Sequence, residues 1–300
     1  MEKYIAELAG RNCRIEIFLG DCIEGMAAHL PQESVDVVAT SPPYNLGVRY
    51  GRYDDSVPRE DYLAWMDRWA QAVSRVLAPA GSLFLNVGGR PKDPWVPFEV
   101  AGVLRRHFVL QNVIHWVKAI TIEREAVGVR TGLAEDLSVG HYKPINSRFF
   151  LNDVHEFIFH FTRTGWVPID RLAIGVAYQD KSNIARWKSA GRCLRCRGNV
   201  WFIPYETIQD RARERPHPAS FPPRLPEMCI RLHGLESTKC VLDPFAGLGN
   251  TAIACVQLGV RFVGFEIDPA YYAEAVRRVR AAAGGLFHAR ERSHSDEERS

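Results

Sequence analysis

The chain contains no run of about 18 apolar residues, so no membrane-spanning helix is expected. Its first residues, MEKYIAELAGRNCRIEIFLGD, lack the basic-then-apolar order of a secretory signal. The cysteines are scattered and odd in number, seven in 300 residues, which suits reduced thiols in a cytoplasmic protein rather than a disulfide framework. Cys193 and Cys196 form a C-x-x-C pair, but no second pair follows to complete a four-ligand zinc site, and no metal is expected. There is no large charge excess either: a net charge of +3 does not by itself announce a nucleic-acid binder. No internal repeat is present, which excludes solenoids and propellers.

Short β-rich apolar runs alternate with helical patterns, the mark of an α/β protein with a mostly parallel sheet. Strands are expected at Ile15–Asp21, Val35–Ser41, Ser82–Gly88, Val109–Lys118, Glu156–Thr162, Lys239–Phe245 and Arg261–Asp268. Helical periodicity covers Glu60–Leu77, Pro222–His233, Thr251–Leu258 and Pro269–Ala283. Two segments, about 119–148 and 163–199, are too polar and too long for simple connections and read as functional insertions. The charged tail at 284–300 lacks periodicity and reads as disordered. Between Lys181 and Arg215 nine basic residues stand against three acidic ones, interleaved with Trp187 and Trp201. That block suits a phosphate backbone, although a solvated surface face would look the same. His155 and His160 read as packing or hydrogen-bonding residues, Trp116, Trp201 and Phe202 as core, and Asp36 as a cap or structural partner.

Two motifs carry chemistry. KCVLDPFAGLGNTAIACVQLG is a strand, a glycine-containing turn and a helix, with Gly247 and Gly249 at the helix start, where unpaired N–H groups can meet a ligand. Glu266 follows Gly247 by 19 residues at the end of the next strand, where a carboxylate can accept hydrogen bonds from ribose hydroxyls. A dinucleotide fingerprint would want a third glycine where Ala252 stands, and only 34 residues follow Glu266. The rest of the sheet must come from upstream, a permuted order that disfavours a nicotinamide oxidoreductase. The second motif, Ser41-Pro42-Pro43-Tyr44, ends an apolar strand. Its prolines remove two N–H donors and leave carbonyls able to accept. With the Ser41 hydroxyl and the Tyr44 ring, it suits a planar group that bears an NH₂.

TSPPY followed far downstream by DPFAGLGNT resembles the β-class of DNA amino-methyltransferases, in which the catalytic motif precedes the cofactor motif. LGDC, SVDVVATSPPY, RVLAPAGSLFLNVG, VIHWVK, VHEFIFHFTR, GNVWFIP, HPASFP, VLDPFAGLGNT and GFEID match in order from Ile15 to about Ala283. Asn250, where the family usually has Thr or Ser, and Ala80, where Gly is common, are the departures. The resemblance implies a single Rossmann-like S-adenosylmethionine-dependent methyltransferase domain over 12–283 with circularly permuted motif order. It implies catalysis at Ser41, Pro42, Pro43 and Tyr44, acting on a base flipped from duplex DNA. Cofactor contacts are implied for Asp21 (adenine edge) and Cys22; for His217, Pro218 and Phe221 (methionine end); for Asp243, Pro244, Phe245, Ala246, Gly247, Gly249, Asn250 and Thr251; and for Glu266 (ribose) and Ile267. DNA contacts are expected from Arg124, Arg130, Lys143 and Arg148 in the first insertion and from Lys181, Arg186, Lys188, Arg192, Arg195 and Arg197 in the second. Double-stranded DNA is the expected partner, with a cognate restriction endonuclease and a second copy of the chain as further candidates. Ser41 at the first motif position leans toward cytosine N4, with adenine N6 as the alternative. RNA or protein amide methyltransferases share the motif but mostly place the cofactor motif first, and the intact motif sets argue against a non-catalytic DNA-binding relative.

Overall fold

The computed structural model describes residues 1–7, 13–48, 51–127, 133–140, 146–178, 193–204 and 220–284. In chain order the elements are β1 (Glu2–Glu7), β2 (Arg14–Leu19), α1 (Cys22–His29), β3 (Val35–Thr40), α2 (Arg59–Val76), β4 (Leu77–Val87), α3 (Val96–Leu104) and β5 (Val109–Val117). They continue with β6 (Ala119–Ile122), β7 (Leu137–Gly140), β8 (His155–Thr162), β9 (Val176–Ala177), β10 (Leu194–Arg195), β11 (Val200–Phe202) and α4 (Arg224–His233). The last four are β12 (Cys240–Asp243), α5 (Asn250–Leu258), β13 (Arg261–Glu266) and α6 (Pro269–Ala283). Every strand and helix expected from the sequence is present, within a few residues at its ends.

Nine strands form one sheet in the order β1-β2-β13-β12-β3-β4-β8-β5-β11. Only β1 and β8 run against the others. The sheet is buried on both faces, and alternate side chains of each strand feed different cores. Ile15, Ile17, Val37, Phe84, Ile158, Val241 and Phe262 pack with residues of α4, α5 and α6. Phe18, Val38, Leu83, Leu85, Phe159, Leu242 and Phe265 pack with α1, α2 and α3. On α2 the buried set Tyr62, Met66, Trp69, Ala70, Val73 and Val76 follows helical spacing and forms one apolar stripe.

Connectivity fixes where a ligand can sit. β12 leads through α5 to β13 on one side, whereas its neighbour β3 leads through α2 to β4 on the other. The two crossovers diverge and leave a crevice between the carboxyl ends of β12 and β3, the topological switch point of an open α/β sheet. The two sequence motifs follow these two strands.

Elements without a strong local signal were missed. Helix α1 carries Gly25 at its centre, which weakens its helical signature. A Cβ there would overlap the Phe265 ring, so the helix can lie against β13 only with glycine at this position. Asp21 caps α1, its carboxylate accepting from the Ile23 and Glu24 amides at 2.8 and 3.0 Å. The first insertion contains the β6–β7 hairpin. The second contains the short β9–β10 pair, and its Val167 and Ile174 are buried, so its first part is packed rather than open. Trp116 and Trp201 are core, but Phe202 is exposed, because β11 is an edge strand with one face outward. Trp201 is therefore unavailable to a phosphate backbone. The Asp36 carboxylate accepts from the Lys239 and Cys240 amides, a structural pairing of β3 with β12. Residues 285–300 lie outside the described residues. Among the described residues, no helix is long and apolar enough to cross a membrane.

A buried polar chain joins the sheet to α4. Asn112 Nδ2 lies 2.9 Å from His160 Nδ1, His160 Nε2 lies 3.0 Å from Ser82 Oγ, and Ser82 Oγ lies 2.9 Å from His233 Nδ1. Burial and the neighbouring His233 push His160 down to about 3, and burial also lowers His233. Both rings are thus neutral at pH 7, while the unfolded histidines protonate below about 6.5. The unfolded chain then binds protons that the folded chain refuses, and stability falls as pH drops from about 6.5 toward 3. Urea titrations should show wild type losing on the order of 2 kcal/mol more than His160→Gln between pH 7 and pH 5. Equal losses in both proteins would show that His160 does not carry this dependence.

Candidate active site

The carboxyl ends of β12 and β3 are tied together by one carboxylate. Asp243 Oδ1 accepts from Thr40 Oγ1 at 2.6 Å and Oδ2 accepts from Thr251 Oγ1 at 2.6 Å. The Phe245 amide adds a third donor at 3.1 Å. Asp243 is buried, and burial raises its carboxyl to about 6 despite these donors. It supports the floor of the crevice and does not line it, as do Thr251 and Gly249. Gly249 sits at φ 75° as the residue before α5, a left-handed conformation that favours glycine.

Above this floor opens a cleft of about 1060 Å³, counting the space at its mouth. One wall is Ser41–Tyr44 and another is Pro244–Leu248, with Asn250 behind it. Gly20–Cys22, Ser220 with Phe221, and Phe265–Asp268 complete the lining together with Arg52, Tyr53, Trp65 and Tyr271. Of the residues expected at a cofactor, Asp21, Cys22, Phe221, Pro244, Phe245, Ala246, Gly247, Asn250, Glu266 and Ile267 all line this cleft. His217 and Pro218 lie outside the described residues.

The glycine turn is not the open anion cradle that its sequence suggested. The Phe245 amide bonds to Asp243, that of Ala246 to the Phe265 carbonyl, that of Gly247 to Glu266 Oε2, and that of Gly249 to the Ala246 carbonyl. With these donors committed, the turn suits an uncharged nucleoside part better than a pyrophosphate. The cleft offers acceptors instead. Burial raises Glu266 to about 7, against the opposing hydrogen bonds from the Asp268 and Gly247 amides. Asn250 gives its amide N–H to the Phe221 carbonyl at 2.7 Å, which ties the 220–221 segment to α5. Its Oδ1 is buried with no partner among the described residues, an acceptor that calls for a donor.

The Ser41–Tyr44 turn is held from several sides. Tyr62 Oη donates to the Pro43 carbonyl at 2.7 Å, so that carbonyl is taken, contrary to the expectation that all carbonyls of the turn are open. Tyr44 Oη lies 2.7 Å from Ser41 Oγ, 3.0 Å from Glu156 Oε2 and 2.7 Å from Asn86 Nδ2. Downstream, the buried Asp55 accepts from the amides of Asn45, Leu46 and Val48. Trp65 and Trp69 pack on Phe245 at 5.7 and 5.5 Å between ring centres, joining α2 to the glycine turn.

Sequence reasoning missed Tyr53, Trp65, Asp268 and Tyr271 on the walls, and Asn86, Lys118 and Glu156 behind Tyr44. Asp268 had a readable signal: it precedes Pro269 and caps α6, accepting from the Ala270 and Tyr271 amides. The others are brought in only by tertiary pairing.

The expected DNA contacts fall into three groups. Arg124 and Arg148 are exposed, on segments that leave β5 and return to β8 at the cleft edge of the sheet. Arg195 is exposed, but Arg197 gives its Nε–H to the Ile174 carbonyl and packs its own insertion. That insertion leaves β8 at the sheet edge opposite the cleft. Arg130, Lys143, Lys181, Arg186, Lys188 and Arg192 lie outside the described residues. Cys193 and Cys196 are exposed thiols. Among the described residues no group of three or more His, Cys, Asp or Glu could hold a metal.

A family model described as DNA methylase matches residues 35–277. The type II methyltransferase M.ScaI of Streptomyces caespitosus is 27% identical over 278 residues, covering 90% of this chain and 83% of its own. M.BglII of Bacillus subtilis is 29% identical over 273 residues, covering 85% and 66%. Among solved structures, the cytosine-N4-specific PvuII DNA methyltransferase has the same fold, with a TM-score of 0.61 over 93% of this chain and 96% of its own at 19% identity. A DNA modification methylase of Thermus thermophilus, TTHA0409, solved with S-adenosyl-L-methionine, gives a TM-score of 0.56 at 25% identity over 90% and 95%.

Thr251→Val leaves one oxygen of the buried Asp243 without its donor. At pH 8 it should destabilise the protein by about 1–3 kcal/mol in urea titrations. Unchanged stability would mean that the Asp243 tie does not hold the two strand ends together.

Proposed function

The chain belongs to the DNA methylase family, the N6/N4 amino-methyltransferases, and on that premise we propose that it transfers a methyl group from S-adenosylmethionine to N4 of cytosine in a specific duplex DNA sequence. One observation carries this reading: Ser41–Tyr44 and the Pro244–Leu248 turn with Glu266 open on a single cleft at the switch point. The cofactor fits the acceptors present. Glu266 would take the ribose hydroxyls, the buried Asn250 Oδ1 suits the amine of the methionine part, and Phe221 and Phe245 supply apolar wall. Asp21 has one carboxylate oxygen committed to capping α1 and lines the adenine end of the cleft.

When bound, S-adenosylmethionine supplies a methyl group activated by its sulfonium. The protein has to prepare the nucleophile, because an exocyclic amino nitrogen shares its lone pair with the ring. Ser41 Oγ and the Pro42 carbonyl accept the two amino hydrogens and favour a pyramidal nitrogen with its lone pair available. Tyr44 offers its ring face to a base that has left the helix stack. Positioning and preorganised dipoles therefore supply most of the acceleration. Arg124, Arg148 and Arg195 are candidates for phosphate or base-edge contacts. Residues 12–283 form the catalytic domain, a cytoplasmic location suits a DNA substrate, and the type II methyltransferase relatives make a cognate endonuclease the natural partner. The choice of cytosine rests on Ser41.

Incubation with methyl-labelled S-adenosylmethionine and mixed duplex DNA, followed by nucleoside mass spectrometry, should give N4-methylcytosine. N6-methyladenine would keep the activity and overturn the base, and label absent from DNA would overturn the substrate. Ser41→Ala should lower kcat by about 100-fold with cofactor affinity unchanged. Because Glu266 sits at about 7 in the free protein and must be ionised to accept two hydroxyls, cofactor affinity should weaken about tenfold from pH 8 to pH 6. Calorimetry that shows a flat affinity over this range would remove Glu266 from the ribose site.

A further inference from the structure

Behind Tyr44 lies an ion pair that the chemistry above does not use. The Glu156 carboxylate lies against the Lys118 ammonium through Oε1. Its Oε2 faces Asn86 Nδ2 at 2.6 Å and Tyr44 Oη at 3.0 Å. Both charged side chains are mostly buried, 18% exposed for Lys118 and 14% for Glu156. Burial alone would raise the Glu156 carboxyl, but the Lys118 charge and the hydrogen bonds from Lys118, Asn86 and Tyr44 hold it below its ordinary value. At neutral pH it is a carboxylate, able only to accept.

The direction of each hydrogen bond then follows. Tyr44 has one O–H, and it must point to Glu156. Asn86 must turn its amide nitrogen toward Glu156 and Tyr44, because the opposite flip would set its carbonyl oxygen against the carboxylate. One lone pair of Tyr44 Oη accepts from Asn86 Nδ2 at 2.7 Å. The other faces Ser41 Oγ at 2.7 Å, and with the tyrosine proton already committed, Ser41 has to be the donor. Its hydroxyl hydrogen therefore points into the protein, and only its lone pairs face the cleft.

We propose that Glu156, held by Lys118 and Asn86, is a positioning residue that sets the polarity of the Ser41 hydroxyl, so that the site receives an amino group and rejects a carbonyl at the same ring position. Cytosine differs from uracil, and adenine from hypoxanthine, in this one group. The ion pair acts through two intervening oxygens and touches no reacting atom. This inference rests on the reading of Ser41 as an acceptor for the target amino group.

The test is a double-mutant cycle on single-turnover methylation of mixed duplex DNA by the full chain. Glu156→Gln supplies an amide that can donate to Tyr44 and reverse the relay; it should slow methyl transfer by about 10- to 100-fold while the cofactor Kd stays within twofold. In a Ser41→Ala background the same substitution should add less than about twofold, because there is no hydroxyl left to orient. Should Glu156→Gln not fold, Tyr44→Phe against Ser41→Ala gives the same cycle, with the same expected loss of additivity. Additive losses would overturn the relay and leave Ser41 in place. Full activity of Ser41→Ala alone would instead overturn the assigned role of Ser41, and the relay with it.

Discussion

The molecule is organised around the tie between Thr40, Asp243 and Thr251. Two motifs separated by about two hundred residues of chain become one site because β3 and β12 are neighbours and a single buried carboxylate bonds both strand ends. The diverging crossovers open the crevice, and the tie fixes its floor. Without it, the Ser41–Tyr44 turn and the glycine turn would each remain ordinary loops at the end of a strand. The permuted order of the chain is compatible with this design because the sheet requires only that the two strands be adjacent, whichever of them comes first.

Three buried carboxylates around the cleft show how environment assigns roles to one functional group. Asp243 and Glu266 are pushed up by burial, to about 6 and 7, since only neutral donors face them. Glu156 is equally enclosed yet shifts the other way, because a lysine lies against it. The first two suit a floor and a hydroxyl acceptor whose charge is easily lost, whereas the third keeps its charge and can direct a chain of hydroxyl groups.

Much of this was readable beforehand, and the reasons are local. Central strands buried on both faces appear as continuous apolar runs, and α2 carries an unbroken stripe. The glycine turn and Glu266 are joined by one βαβ unit, so their spacing survives in sequence. What escaped depends on partners far along the chain. Gly25 looks like a helix breaker until Phe265 is seen against it. Asn86, Lys118 and Glu156 lie on or beside three strands, and the antiparallel insertion of β8 between β4 and β5 brings them to Tyr44. Ser220 and Phe221 reach the cleft through Asn250, the residue that departs from the family pattern. The expected run of free amides in the glycine turn failed because Glu266 and neighbouring carbonyls claim them.

The most direct measurement is a crystal structure of the protein with a non-reactive analogue of S-adenosylmethionine and a duplex that carries its methylated sequence. The account requires the analogue on the Glu266 side of the cleft and a flipped base whose exocyclic amine lies within hydrogen-bond distance of both Ser41 Oγ and the Pro42 carbonyl. A base still stacked in the duplex, or an amine that contacts neither group, would contradict it.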